Sequence, residues 1–288
     1  MDIKKVKEFV GADWQQVQDR ITGSLQSDIR LLNMTNASIL ANSGKQMRPL
    51  LTLLFARACN GGEITEATIR YAASAELLHN ATLLHDDVAD DSAQRRGVPT
   101  IMSLMGPSVA VLIGDYWLVK ALDIILADAP SDHRVIKIFS KTLSALAEGE
   151  LLQLQKAQNG DTVEEDYLKI IYNKTASLFE AACLSAVLSV GASEQMEKAA
   201  VEYSYALGLA FQIQDDILDV TSTVEELGKP IHSDEKNEKT TYVTLVGLEK
   251  AKEYVENISM EAIELLGTFE AEDAFLEELL KALIHRKK

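Results

Sequence analysis

Asp86, Asp87 and Asp90 stand in the spacing D-D-x-x-D, and Asp215, Asp216 and Asp219 repeat it in the second half of the chain. On a helix, positions i and i+4 share a face and i+1 lies about 100° round it, so each triplet converges at one helix rim. Carboxylates one turn apart repel one another, and burying them unpartnered is very costly. Divalent cations carrying an anionic ligand relieve that cost. Mg2+ takes one or two carboxylates and completes its shell with phosphate oxygens and water. One such cluster, with Asp91 behind it, fits a solvated helix face as well as a metal site. The repeat decides between them. "ASAELLHNATLL" precedes the first triplet and "ALGLAFQI" the second, and a solvated face is not built from Ala, Leu, Phe and Ile on every other side.

The basic residues indicate what the cations would carry. "GKQMRP" offers Lys45 and Arg48 at i and i+3 beside an expected helix N-terminus, where anions are favoured. Arg95 and Arg96 follow the first triplet directly, Lys174 lies in "YNKTASLF", and Lys229 and Lys239 lie in a polar stretch. Any one of them alone reads as a surface salt bridge. Together, beside paired acidic motifs, they suggest a bound polyphosphate gripped by cations on one side and by Arg and Lys on the other. The net charge of −16 argues against a generic nucleic-acid binder. No Ser/His/Asp or Cys/His nucleophile arrangement is visible.

The elements that must position these groups read as helices. The chain has 288 residues, 47 % of them apolar, which suits a large core. "DHRVIKIFSKTLSALAEGELLQLQKA" places Val135, Phe139, Leu143, Leu146 and Leu151 near one stripe. "ASLFEAACLSAVLSVGA" and "KAAVEYSYALGLAFQIQDDILDV" are apolar over most of their circumference and belong in the middle of a bundle. Strand-like alternation between Asn-Gly or Asp-Gly turns is absent. Pro49 suits the first turn of a helix, and Pro130-Ser131-Asp132 reads as a helix end followed by a new cap. Residues 223–239 read as a polar loop, and no linker divides the chain. The expectation is a single all-α domain over 1–288.

The N-terminal "MDIKKVKEFVGADW" lacks the apolar run of a secretory signal. The best candidate span, "SVAVLIGDYWLVKALDIILA", is interrupted by Asp115, Lys120 and Asp123. Cys59 and Cys183 sit in apolar helical contexts and read as buried small hydrophobes in a reducing compartment. A cytoplasmic protein without a membrane span is expected.

"GKQMRP", "ELLHNATLLHDDVADDSAQRRG", "GDYWLVKA", "EGELLQL", "NKTASLF", "GLAFQIQDDILDV", "GKP" and "EKTTYVTLVG" occur in this order over residues 40–250. Together they resemble the trans-isoprenyl diphosphate synthases of the polyprenyl synthetase family. The resemblance implies one isoprenoid-synthase-type bundle of about 10–13 helices around a central cavity, working as a homodimer. It implies head-to-tail condensation of an allylic diphosphate with isopentenyl diphosphate, with about three Mg2+ at each site. By motif, Asp86, Asp87, Asp90, Asp215 and Asp216 resemble the metal ligands, with Asp219 behind them. Arg95, Lys174, Lys229 and Lys239 resemble partners of the allylic diphosphate and its closing loop, and Lys45, Arg48, His79 and Arg96 the isopentenyl diphosphate site. Thr175 and Gln212 resemble groups that hold the allylic substrate and stabilise carbocation charge. Taken alone, His79 reads as a core histidine, and only its motif position reverses that.

The chemistry is coherent with these residues. Breaking an allylic C–O bond leaves a carbocation and a diphosphate, so cations that neutralise the leaving group lower the barrier. An apolar interior keeps water from quenching the cation. Three positions depart from the family pattern: His232 and Glu238 stand where glycines are usual, and Gln46 where a basic residue is frequent.

Product length is expected to follow from the helix that ends in Asp86. Residues four and five positions upstream, Thr82 and Ala81, are small and lie one turn down, which predicts a long product of about C30 or more. A deeper floor formed by Tyr116, Trp117 and Ile124 would shorten it. The alternatives are a short-chain farnesyl or geranylgeranyl diphosphate synthase and a non-catalytic subunit of a heteromeric synthase. A terpene cyclase is disfavoured by "QDDILD", which keeps the second aspartate set intact.

Overall fold

A computed structural model describes residues 3–127, 133–221, 240–269 and 274–284. Helices α1 (Ile3–Ser24), α2 (Arg30–Ala41), α3 (Met47–Cys59) and α4 (Glu66–Ala89) lead into a two-residue hairpin, β1 (Gln94–Arg95) with β2 (Val98–Pro99). Then follow α5 (Ile101–Met105), α6 (Pro107–Leu126), α7 (Arg134–Asn159) and α8 (Glu164–Ile171), and a π-helical turn, Tyr172–Ala176. The chain continues through α9 (Ser177–Ser189), α10 (Glu194–Thr221), α11 (Tyr242–Val246), α12 (Leu248–Leu266) and α13 (Ala274–Ile284). The all-α reading holds, and the hairpin is the one departure from it among the described residues. Its turn, Arg96-Gly97, has positive φ at both positions, the backbone of a tight two-residue hairpin that sequence alternation cannot announce over so short a length.

Local chemistry sets the ends of the central helices. Thr65 caps α4: its side chain accepts from the Thr68 N–H, and Thr68 reciprocates toward the Thr65 N–H. At the other end α4 runs out at Asp90, whose N–H donates to Asp86 O at 2.8 Å. Pro107 opens α6 behind Gly106, and Gly160 in the left-handed region closes α7.

Helices α3, α4, α9 and α10 are buried on most sides, as their all-round apolar sequences require. Phe55 of α3 packs edge-on against Tyr203 of α10 and Phe269 beyond α12, with centroids 5.1 and 5.2 Å apart. Helix α6 lies close along α4. Ser74 Oγ donates to Ala121 O at 3.1 Å, and a Cβ on Gly114 would come 2.4 Å from His85 Nε2.

Two expectations change here. In α7, Val135 and Phe139 are buried and Leu143 and Leu146 half-buried, but Leu151 is 67 % exposed. At 3.6 residues per turn its distance from Val135 carries it about 160° round the helix, off the stripe. Tyr116, Trp117 and Ile124 form no cavity floor: Trp117 is fully buried and donates from Nε1 to Asn36 Oδ1 at 2.8 Å, pinning α6 to α2. Ile124 faces a separate cleft with Arg20 and Glu66, and Tyr116 Oη reaches Gln26 O. The expected loop at 223–239 and the Pro130 helix end lie outside the described residues. No helix among the described residues is long and apolar enough to cross a membrane.

Candidate active site

Asp86 at the end of α4 and Asp215 and Asp216 near the end of α10 line one cavity of about 790 Å³. Lys45, Arg48, Arg95, Arg96 and Lys174 share the same wall set, and Leu146, Ile170, Leu178, Phe179 and Phe211 make its apolar part. His79, Thr82, Thr175 and Gln212 line it too. The carboxylates of both motifs thus meet cations and an oily interior in a single space.

The basic side is built from close approaches. In the α2–α3 turn, Gly44 has φ 72° and Gln46 is left-handed at φ 56°. A Cβ on Gly44 would be strained at this φ and would lie 2.6 Å from Arg96 Cζ, so the guanidinium would have to shift; Arg96 Nη1 donates to Asn42 O at 2.7 Å. Arg48 stacks 4.6 Å over the Phe179 ring, a cation–π contact. Its Nε is buried without a hydrogen-bond partner among the described residues, a donor suited to an incoming anion. Burial pushes Arg48 down to about 10, with Glu76 opposing and Arg96 adding to the shift. The same surroundings hold His79 well below the usual histidine range, burial first and then Arg48, Arg96 and Arg95. It is a neutral imidazole at pH 7.

Lys174 sits in the π-helical turn between α8 and α9, an irregularity that often marks functional positions. Its Nζ donates to Gln153 Oε1 at 2.6 Å and pairs with Glu150, so α7 holds the lysine at the cavity wall. Gly149 makes room, since a Cβ there would meet Asn173 Cβ at 2.7 Å and Lys174 Cγ at 2.9 Å. Thr175 Oγ1 donates to Gln212 Oε1 at 2.9 Å, joining the π turn to α10.

The acidic residues divide by environment. Asp86 is pushed up to about 6, mainly by burial, with Lys174 and Arg95 opposing and Glu150 and Asp90 adding. Asp87 is buried, lies outside the main cavity lining and accepts from Arg95 Nε at 2.7 Å. Burial raises it while Arg95 pulls it down. Asp90 is exposed at the C-cap of α4, and Asp219 is buried and off the cavity lining. Among the described residues no three His, Cys, Asp or Glu side chains form a ready-made ligand set. The donor set nonetheless suits a hard divalent cation and its anion: carboxylate oxygens on one wall, and basic side chains opposite, among them the unpartnered Arg48 Nε. Such a site is completed by phosphate oxygens.

Of the two residues expected to set product length, Thr82 lines the cavity and Ala81 does not. Ala81 is fully buried in the core, outside the cavity lining. Ala81 lies about 140° round α4 from Asp86 and Thr82 only about 40°. Lys229, Lys239, His232 and Glu238 lie outside the described residues. Sequence reading missed Tyr167, Gln153, Glu150, Glu76 and Phe179 as parts of the site or its support. Glu150 and Gln153 had a signal in their i, i+3 spacing within "EGELLQL"; the others had none short of three-dimensional packing.

The sequence pattern of the polyprenyl synthetase family matches residues 29–283. The chain is 37 % identical to an octaprenyl diphosphate synthase of Escherichia coli (strain K12), over 84 % of this chain and 73 % of the relative. It is 36 % identical to a short chain isoprenyl diphosphate synthase of Methanothermobacter thermautotrophicus, over 83 % of this chain and 74 % of the relative. The fold matches a polyprenyl synthase from Caulobacter crescentus complexed with calcium and isoprenyl diphosphate. The TM-score is 0.90 at 28 % identity, covering 100 % of this chain and 98 % of that one. The enzyme is of the trans-prenyltransferase class. The chain belongs to the polyprenyl synthetase family.

Proposed function

We propose that this chain is one domain, acts as a cytoplasmic homodimer and condenses isopentenyl diphosphate with an allylic diphosphate. The product is an all-trans polyprenyl diphosphate of about C30 or longer, Thr82 leaving the cavity open one turn below Asp86. One observation carries the reading: Asp86, Asp215 and Asp216 share a cavity with Lys45, Arg48, Arg95, Arg96 and Lys174.

In this reading Asp86, Asp90 and Asp215 hold Mg2+ on the allylic diphosphate, with Asp87, Asp216 and Asp219 in support. Bound Mg2+ supplies charge neutralisation of the diphosphate as the C–O bond breaks. Lys174 and Arg95 grip the same diphosphate from the basic side. Lys45, Arg48, Arg96 and neutral His79 take the second diphosphate and orient it by charge-assisted hydrogen bonds. The Thr175 and Gln212 dipoles and the Phe211 ring, all on the cavity wall, stabilise the positive charge that develops on the allylic carbon. The remaining apolar wall excludes water.

Homodimerisation is supported by apolar side chains left exposed on neighbouring elements: Met34 of α2, Leu104 of α5 and Leu112 and Val119 of α6. The short-chain relative makes a shorter product the second reading. Incubation of the purified protein with Mg2+, labelled isopentenyl diphosphate and allylic primers of several lengths, read by chromatography, tests both. Products at or beyond C30 support the proposal, accumulation at C15 or C20 favours the second reading, and no elongation by the homo-oligomer points to a subunit that needs a partner.

A further inference from the structure

Two donors converge on one oxygen of the second acidic motif. Tyr167 Oη donates to Asp216 Oδ2 at 2.6 Å, and the Tyr242 backbone N–H donates to the same oxygen at 2.6 Å. A carboxylate oxygen has about two lone-pair sites, so Oδ2 is committed to the protein. The donors come from different elements. Tyr167 lies on α8, and Tyr242 opens α11, the first helix after residue 239. Their rings pack at 5.4 Å, and Tyr242 Oη donates to Glu164 Oε1 at 2.7 Å, in the first turn of α8. Tyr254 of α12 packs 5.4 Å from the other side of the cluster. Both Tyr167 and Tyr242 are buried, yet Tyr167, Thr241 and Asp216 all line the active-site cavity.

We propose that Tyr167 is a positioning residue for the cation site. With the Tyr242 N–H it fixes Asp216, thereby aims the adjacent Asp215, and fastens the start of α11 to the end of α10. Asp216 serves through Oδ2 as the fastening point, and Asp215 carries the direct cation contact. The clasp deepens the function proposed above and rests on it. A phenol on a buried carboxylate could be purely structural, and its placement on the cavity wall beside Asp215 is what argues otherwise. Hydrogen bonds to a charged acceptor are among the stronger ones, so loss of this one is felt where the motif must hold its geometry against bound cations.

The test is Tyr167→Phe, which keeps the ring and removes the donor. Mg2+ binding is titrated by calorimetry in the presence of excess inorganic pyrophosphate, alongside ligand-free thermal unfolding and initial rates across Mg2+ concentrations. The expected result is Mg2+ affinity weakened about tenfold, with most of the wild-type rate recovered at saturating Mg2+. Asp216→Asn, which keeps an acceptor oxygen for both donors, is expected to retain markedly more Mg2+ binding than Asp216→Ala. Unchanged Mg2+ affinity in Tyr167→Phe, whatever its melting temperature, overturns the clasp. Equal losses in Asp216→Asn and Asp216→Ala overturn it too. A wild-type chain that takes up no Mg2+ with pyrophosphate overturns the parent reading as well, whereas a normal wild type beside an unaffected variant overturns only the clasp.

Discussion

Arg95 Nε donates to Asp87 Oδ1 at 2.7 Å, linking the end of α4 to the hairpin that follows it. The neighbouring Asp86 faces the cavity instead. Adjacent aspartates of one motif therefore have different surroundings: Asp86 lines the cavity, and Asp87 holds Arg95, which lines it too. Asp86→Ala is expected to lower kcat by about 10²–10³. Asp87→Asn should instead raise the KM for the allylic diphosphate by about tenfold, with a smaller effect on kcat. Steady-state kinetics of the two variants separate these roles, and equal loss of kcat in both would contradict the division.

Product length should answer to Thr82 and not to Ala81. Thr82→Phe places a ring in the cavity and is expected to shift the products toward shorter chains. Ala81→Phe drives a ring into closely packed core, and should cost stability, about 2–3 kcal/mol, before it changes the product pattern. Chromatography of the products together with denaturant unfolding distinguishes the outcomes. Short products from a stable Ala81→Phe would return Ala81 to the cavity wall.

A Cβ on Gly208 would lie 2.4 Å from Ala176 Cβ and 2.5 Å from its Cα. Backbone of the π turn cannot move aside as a flexible side chain would. Gly208→Ala is therefore expected to destabilise the protein by about 2–3 kcal/mol and to disturb the nearby Thr175–Gln212 contact, lowering activity even below the melting transition. Unfolding curves and rates measured at low temperature check this.

Glu76 is buried at the back of the basic side, accepts from Asn80 Nδ2 at 3.0 Å and has no partner for Oε2 among the described residues. Burial pushes it up to about 7, with Asn80, Arg48, Arg96 and Lys7 opposing. A carboxyl raised in the folded state costs nothing below its unfolded pKa. It becomes a growing penalty as pH rises from the unfolded value of 4.5 through the folded value near 7. Glu76→Gln has no such penalty, so its stability relative to wild type should improve between pH 5 and pH 8, by on the order of 3 kcal/mol. Denaturant unfolding at the two pH values measures it, and a pH-independent difference would mean that Glu76 is ionised at little cost.

The two D-D-x-x-D spacings announced the cavity because helical periodicity alone places Asp86 and Asp215 at helix rims, and the apolar flanks rule out solvent. Individual roles within a motif were not legible. Asp87 turns away because Arg95 in the hairpin claims it, and a hairpin this short leaves no alternation to read. Tyr167 of α8 reaches Asp216 of α10 through tertiary packing, which no local pattern announces. Ala81 and Leu151 were different cases: helical angles computed from the sequence already separate Ala81 from Asp86 and Leu151 from Val135. The apolar helices α9 and α10 were readable as central because no polar face competes for solvent.

The central claim is that both acidic motifs grip one diphosphate through shared divalent cations. Equilibrium binding of Mn2+, a spectroscopic substitute for Mg2+, with and without inorganic pyrophosphate, on wild type, Asp86→Ala and Asp215→Ala, tests it most directly. Wild type should bind Mn2+ and pyrophosphate interdependently, and either single substitution should abolish most of that coupling. Coupled binding that survives loss of Asp86 or of Asp215 would contradict the account.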